Sequence, residues 1–444
     1  MHKFKLFILG IFTGWFGIIF LMIWASLKWG DSLWSGRDSW WILPLIGLVI
    51  FFLIAWGAKY LVYIKRLKTR ELQNGAKNQR IRVAPALLIV LSIGLFAAGS
   101  TLNLIPVINY QMTLYQYNQV HAMLEDPAWI NNANRTLRRD SIRGVMADSD
   151  FQFAVPDLWL PGGPPYHFNI SALVNDCVSL GINCFHFLIF NYTTEWPDFQ
   201  NFVIAAENNS SLKARNFSIW LYLLPPSETN GLGYAPIGLD YVRWMNISAQ
   251  FSKAHPMFTA VLMDDFMAGP ENRKLFTGSY LQKMRSAADA YDPSLAFVGC
   301  IYWDEVNPAM QIDIWNVAVQ IGPYLDGILY PYVDASKHAW NLAYTDSMCT
   351  EIARVKEIYP GIPTILDIYS SKPTMIKEFP TASYIGTMMD DARSCCDGMA
   401  LYGGPKMASN GTILPSHYMD DPAAIFSAVK IRLNLWTVQG WKNG

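Results

Sequence analysis

Two adjacent carboxylates, Asp264 and Asp265, end the apolar run Phe258-Thr-Ala-Val-Leu-Met-Asp-Asp-Phe266. Like charges held side by side raise the proton affinity of one partner. One group then stays protonated as an acid while the other stays charged. Inside a strand the two side chains would point to opposite faces, but at a strand's end both can turn into a common site. The run is short, apolar and bounded by polar residues, the pattern of a buried parallel strand. The structural alternative is that one Asp caps the next helix or pairs with an arginine such as Arg273.

The elements that must position this pair are legible downstream of Ile142. Strands are expected at Gly144–Ala147, Cys184–Phe190, Ser218–Leu224, Thr259–Met263, Leu295–Tyr302, Gly327–Tyr332, Thr364–Tyr369 and Met399–Tyr402. Helices are expected at Ser171–Leu180, Leu239–Ala254, Tyr280–Tyr291, Tyr344–Tyr359, Ser383–Cys395 and Ala423–Trp436. Strands alternating with helices over about 300 residues predict a (β/α)8 TIM-type barrel, with a doubly wound sheet as the runner-up. No glycine-rich phosphate loop follows any strand, which argues against a nucleotide site.

In such a barrel the C-terminal strand ends carry the active site. The residues expected there as substrate-binding are Asp148, Tyr302, Trp303, Asp304, Tyr330, Tyr332, Asp367 and Tyr402. Glu228, after Pro225-Pro226, and Lys406 also fall at strand ends. Carboxylates bind hydroxyls and move protons, and aromatic rings stack on the apolar faces of sugars, so the mixture suits a carbohydrate. The histidines show no metal-ligand spacing, which argues against zinc. Loop carboxylates leave calcium open as the one cofactor considered. No nucleophile-elbow serine is present.

The strand-four Asp-Asp, on the stretch Ala260 to Phe266, resembles the O-GlcNAcase type of (β/α)8 glycoside hydrolase, which hydrolyses N-acetylhexosaminides with help from the substrate's own acetamido group. The resemblance implies that Asp264 polarises the acetamido nitrogen and Asp265 protonates the leaving oxygen. It does not extend to the substrate: Phe187–Glu195 lacks the family's lysine, and Leu366-Asp367-Ile368 stands where the family places a sugar-binding Asn.

The front of the chain differs. Leu6–Leu27, Trp41–Tyr63 and Val83–Val107 are long and nearly uncharged, close to the ~20 residues that cross a bilayer. They predict three transmembrane helices in residues 1–107. The Lys/Arg-rich loop 64–82 puts that loop and the N-terminus in the cytoplasm. Residues 108–140 are read as a connector and 141–444 as an extracytoplasmic barrel, giving a multi-pass protein of the cell membrane or endomembranes. Residues 1–110 hold 12 Lys+Arg and 3 Asp+Glu, which leaves 22 basic and 32 acidic residues beyond them. So acidic a remainder argues against nucleic acid as a partner. Sequons at Asn134, Asn169, Asn191, Asn208, Asn209, Asn216, Asn246 and Asn410 predict N-glycosylation, and all six cysteines lie in the same part, where an oxidising compartment permits disulfides.

The expectation is therefore a membrane-anchored, glycoside-hydrolase-like glycoprotein acting on surface or envelope glycans by carboxylate acid/base catalysis. The alternative is a catalytically silent barrel that serves as a binding or structural subunit, with the lipid bilayer and membrane proteins as partners of its helices.

Overall fold

The computed structural model describes residues 133–149, 167–190, 192–229, 237–306, 314–336, 341–372, 376, 378–407, 410–416 and 418–439, with the single residues 118 and 122. They fall in one compact unit, Thr101–Gly444. Eight parallel strands close on themselves in chain order: β1 (Met146–Ser149), β2 (Cys184–Ile189), β3 (Ser218–Leu223), β4 (Phe258–Met263), β5 (Ala296–Cys300), β6 (Gly327–Pro331), β7 (Thr364–Tyr369) and β8 (Gly398–Tyr402). The barrel expected from the alternation is present, and the doubly wound alternative falls because β8 pairs with β1.

The expected membrane region is corrected. Among the described residues no helix is long and apolar enough to cross a membrane, and the three segments read as spans lie outside those residues. Among the described residues the fold is the (β/α)8 barrel alone, with no transmembrane helix. The multi-pass location, with its cytoplasmic N-terminus, rested on those spans and is withdrawn with them, as are the bilayer and the membrane proteins as partners.

Strand interiors are almost wholly buried and rich in Val, Ile, Leu and Phe, as a sheet covered on both faces requires. Around it lie α1 (Ala133–Ile142), α2 (Ile170–Leu180), α3 (Tyr192–Asn208), α4 (Ser210–Lys213), α5 (Tyr241–Ser252), α6 (Gly269–Leu275), α7 (Gly278–Asp289), α8 (Trp303–Val306), α9 (Ile314–Ile321), α10 (Met348–Ile358), α11 (Ala382–Cys395) and α12 (Pro422–Gln439). Several start on a side-chain cap that satisfies an orphan backbone N–H: Asn169 for α2, Asp240 for α5, Thr277 for α7 and Thr381 for α11. On the outside of β2, Phe185 and Phe187 meet Phe199 and Phe202 of α3. Cys349 of α10 and Cys395 of α11 form a disulfide.

The N-terminal end of the barrel is closed by α1. Arg138 donates to Asp326 Oδ1 (2.8 Å) and to the Pro293 carbonyl (2.9 Å), while Arg139 donates to the Gly361 carbonyl (2.8 Å). Those acceptors lie in the loops that lead into β6, β5 and β7. Asp326 also accepts from Arg285 of α7 (3.4 Å) and from the backbone N–H of Phe297 (3.0 Å). One carboxylate thus ties two arginines and a strand together at the end away from the strands' C-termini. Asp326→Asn leaves two half-matched guanidinium groups in a buried place. It is expected to cost about 3–5 kcal/mol, read as a lower urea midpoint with an unchanged m-value.

Candidate functional site

Side chains alternate between the barrel's interior and its helical shell, and the hydrogen bonds fix which set is which. Tyr222 on β3 donates to Asp264 Oδ1 (2.8 Å), so its parity faces the axis. Tyr330 on β6 donates to Glu351 of α10 (2.7 Å), so its parity faces the shell. Following the pairing registers round the barrel gives the interior layers. Ser149, Tyr222, Cys300 and Asp367 form one layer. Asp264 and Tyr402 lie in the next layer towards the strand C-termini, followed by Tyr302 and Tyr369. His186 lies in the layer beneath.

The Asp264–Asp265 turn is fastened on both sides. The Asp264 N–H donates to the Leu223 carbonyl on β3 (2.9 Å), and the Phe266 N–H donates to the Cys300 carbonyl on β5 (3.1 Å). Phe266 is buried against Gly299, where an added Cβ would come within 2.8 Å of its ring. Between these anchors Asp265 takes a left-handed φ of 38°, and its N–H donates to Asp264 Oδ1 (2.9 Å). Asp and Asn are the non-glycine residues that tolerate this region best. Asp264 is buried and Asp265 half-buried. Burial, and then the charge of Asp265, push the Asp264 carboxyl well above the usual carboxylate range. On the β3 loop the exposed Glu228 meets Asp265, and burial together with that carboxylate pushes it up as well.

Aromatic rings surround this cluster. Tyr369 and Tyr402 pack with centroids 4.7 Å apart. The Tyr302 hydroxyl is held in its neutral form, first by burial and then by Cys300, Tyr369 and the two aspartates around it. Below, burial raises Asp367 to about 8, with Asp148 adding to the rise, and its Oδ1 has no hydrogen-bond partner among the described residues. His186 accepts or donates at Nδ1 to Ser149 (3.0 Å) and stacks on Trp220. Burial lowers it to about 3, so it is neutral, and its Nε2 is unpartnered among the described residues.

Of the residues expected at the site, Asp264, Asp265, Tyr302, Asp367 and Tyr402 converge. Trp303 and Asp304 open α8 beside them, Trp303 half-buried and Asp304 exposed. Three expected residues are elsewhere. Asp148 lies inside β1, not beyond its end, and points to the shell, where it pairs with Lys406; Asp176 of α2 reaches the same ammonium at 3.5 Å. The Gly404 N–H donates to Asp148 Oδ1 (2.7 Å), an approach so close that a Cβ on Gly404 would sit 2.6 Å from that oxygen. Tyr330 is turned to α10, and the Tyr332 hydroxyl meets Ser347 (2.9 Å) and the Tyr344 carbonyl (3.2 Å). Tyr369, at the end of β7, joins the site as its strand-end position implies; Tyr222 and Cys300 join it without having been singled out, and strand parity was the signal that would have found them.

Asp264, Asp265 and Cys300 can bring one ligand atom each within 4.8 Å of one another. Two carboxylates and a thiol are not a calcium set, which takes six to eight oxygens, and we assign no metal there. Of the sequon asparagines, Asn134, Asn208, Asn216 and Asn410 are exposed and Asn169, Asn209 and Asn246 half-buried; Asn191 lies outside the described residues.

The fold is a (β/α)8 barrel. Similar solved structures include the catalytic domain of a hyperthermophilic chitinase from Pyrococcus furiosus (13% identity, 67% of this chain and 96% of that one, TM-score 0.45). Others are the GH5_18 protein from Streptomyces cattleya in complex with GlcNAc (14%, 62% and 77%, TM-score 0.42) and an endo-beta-1,4-mannanase from Thermotoga petrophila (11%, 62% and 75%, TM-score 0.40). No family model matches the chain, and no curated relative matches it.

Asp367 makes stability depend on pH. In the unfolded chain it releases its proton near 3.9, and in the fold near 8. Between those values the native state binds more protons, so stability falls as pH rises from about 4 through about 8. Asp367→Asn removes that share of the fall. Urea unfolding at pH 5 and pH 8.5 is expected to show a smaller loss for the variant, by on the order of a few kcal/mol.

Proposed function

We propose that the chain is a glycoside hydrolase that works through Asp264 and Asp265. The carrying observation is the fastened turn at the C-terminal end of β4: it presents two adjacent carboxyl groups, one buried and one half-buried, among tyrosine rings. Asp265 is the member that a substrate in the barrel mouth reaches; it acts as general acid, protonating the departing glycosidic oxygen, and then as general base, taking a proton from the water that attacks the anomeric carbon. Asp264, fixed by Tyr222 and by the Asp265 N–H, is its partner and orients the group at the sugar's 2-position. Tyr302, Tyr369 and Tyr402 supply stacking faces and hydroxyls, and Asp367 closes the floor with a carboxyl that stays protonated at neutral pH and donates. Trp303 and Asp304 border the mouth. A substrate bearing a 2-acetamido group suits the pair best, since one carboxyl can hold its N–H while the other serves the leaving oxygen.

A screen of the full-length protein against chromogenic glycosides, N-acetylhexosaminides among them, tests this reading. Asp264→Asn and Asp265→Asn are each expected to lower kcat by about 10²–10⁴ while the circular dichroism spectrum stays unchanged. An Asp265→Asn protein with full activity would remove Asp265 from the chemistry. A folded wild type inert on every sugar would favour the silent barrel.

A further inference from the structure

A general acid needs a proton, and the Asp264–Asp265 turn does not by itself place one on Asp265: the buried Asp264 is the member of that pair whose carboxyl is pushed well up. A third carboxyl lies on the other side. Glu228, on the loop after β3, makes a side-chain hydrogen bond with Asp265. What holds the two together is Asn272 of α6, which is fully buried. Its Oδ1 accepts from the Ser227 N–H (3.0 Å), the residue just before Glu228. Its Nδ2 donates to Ser227 Oγ (2.8 Å) and to the carbonyl of Asp265 itself (2.7 Å). One amide therefore spans the β3 loop and the β4 turn, using its acceptor and both its donor directions on Ser227, the neighbour of Glu228, and on Asp265. The Glu228 N–H closes the loop onto the Pro225 carbonyl (3.1 Å).

We propose that Asn272 is a positioning residue that clamps Glu228 against Asp265 as a carboxyl pair sharing one proton, and that this pair supplies the acid of the site from its solvent side. Two carboxyls in hydrogen-bond contact cannot both ionise at the ordinary pH, so the first proton leaves readily and the second is retained. The other groups facing Asp265 are Asp264 on β4, Cys300 and Tyr302 on β5 and its end, Tyr402 on β8 and Glu305 on α8. Burial keeps the thiol, the two hydroxyls and Glu305 neutral near pH 7, with the charge of Arg273 pulling Glu305 the other way. Asp264 is the remaining group able to take charge there, and its raised carboxyl holds a proton. The proton that Asp265 transfers is then the one it shares with Glu228.

The kinetic consequence rests on the assignment of Asp265 as acid/base, but the pairing does not, and the test separates them. Carboxyl-carbon NMR titration of the full-length protein, labelled at Asp and Glu, needs no activity. In wild type the Glu228 signal is expected to titrate above the ordinary glutamate range. In Asn272→Ala it should fall towards a single ordinary step. A single ordinary step in wild type would overturn the proposal whether or not the protein cleaves a glycoside. If it does cleave one, Glu228→Gln and Asn272→Ala should each move the alkaline limb of the kcat profile about one pH unit towards acid, because the retained proton is lost earlier. A lower melting temperature for Asn272→Ala with the limb unmoved would reduce Asn272 to a structural residue and overturn its positioning role.

Discussion

Closure of the eight-strand barrel fixes the parity of every strand, and that parity decides which polar groups can take part in chemistry. Once β8 pairs with β1, no strand can slip by one residue without moving its whole inward set into the helical shell. Tyr222, Asp264, Asp367, Tyr369 and Tyr402 are inward on this register, whereas Asp148 and Tyr330 are outward. The difference between a site tyrosine and a structural tyrosine here is one position along a strand.

The barrel handles buried carboxylates in two ways. In the shell and at the N-terminal end some are matched by cations, Asp326 by Arg138 and Arg285 and Asp148 and Asp176 by Lys406, whereas Glu351 accepts from hydroxyl and backbone N–H donors. At the strand C-termini, Asp264, Glu228 and Asp367 make no ion pair among the described residues, and burial pushes all three carboxyls up so that they hold their protons more tightly. Burial raises Asp148 and Asp176 as well, Asp176 to about 6, against the opposing pull of Lys406. A carboxyl held by its proton can change state when a substrate arrives, which is the property acid/base work needs.

Much of this was legible beforehand. The eight strands follow from short apolar runs bounded by polar residues, and Thr364–Tyr369 has the same limits in sequence and structure. Asp264 and Asp265 stand out because two carboxylates end such a run. The composition of Gly144–Ala147 places Asp148 just past a strand end, but β1 starts at Met146, which draws Asp148 inside it. Tyr330 and Tyr332 were misplaced because an aromatic residue near a strand end looks alike from either face until a partner such as Glu351 or Ser347 is known. Asn272 could not have been found, since its role lies in three hydrogen bonds to residues up to 45 positions away. The apolar segments of the first 107 residues carry a composition signal that corresponds to nothing among the described residues.

The left-handed backbone at Asp265 narrows what this position can become over evolutionary time. A short side chain that bonds its own backbone tolerates the conformation, whereas a longer or β-branched one loses on the order of 1 kcal/mol or more in the turn. Glutamate, the obvious substitute acid, would meet that backbone toll before its chemistry was ever sampled. Asparagine keeps the backbone and forfeits the proton. On the proposed assignment of Asp265 as the acid, descendants of this chain are thus funnelled either to keep aspartate or to fall silent in a single step while remaining folded, and such a barrel would shed a catalytic role more easily than it would rework one.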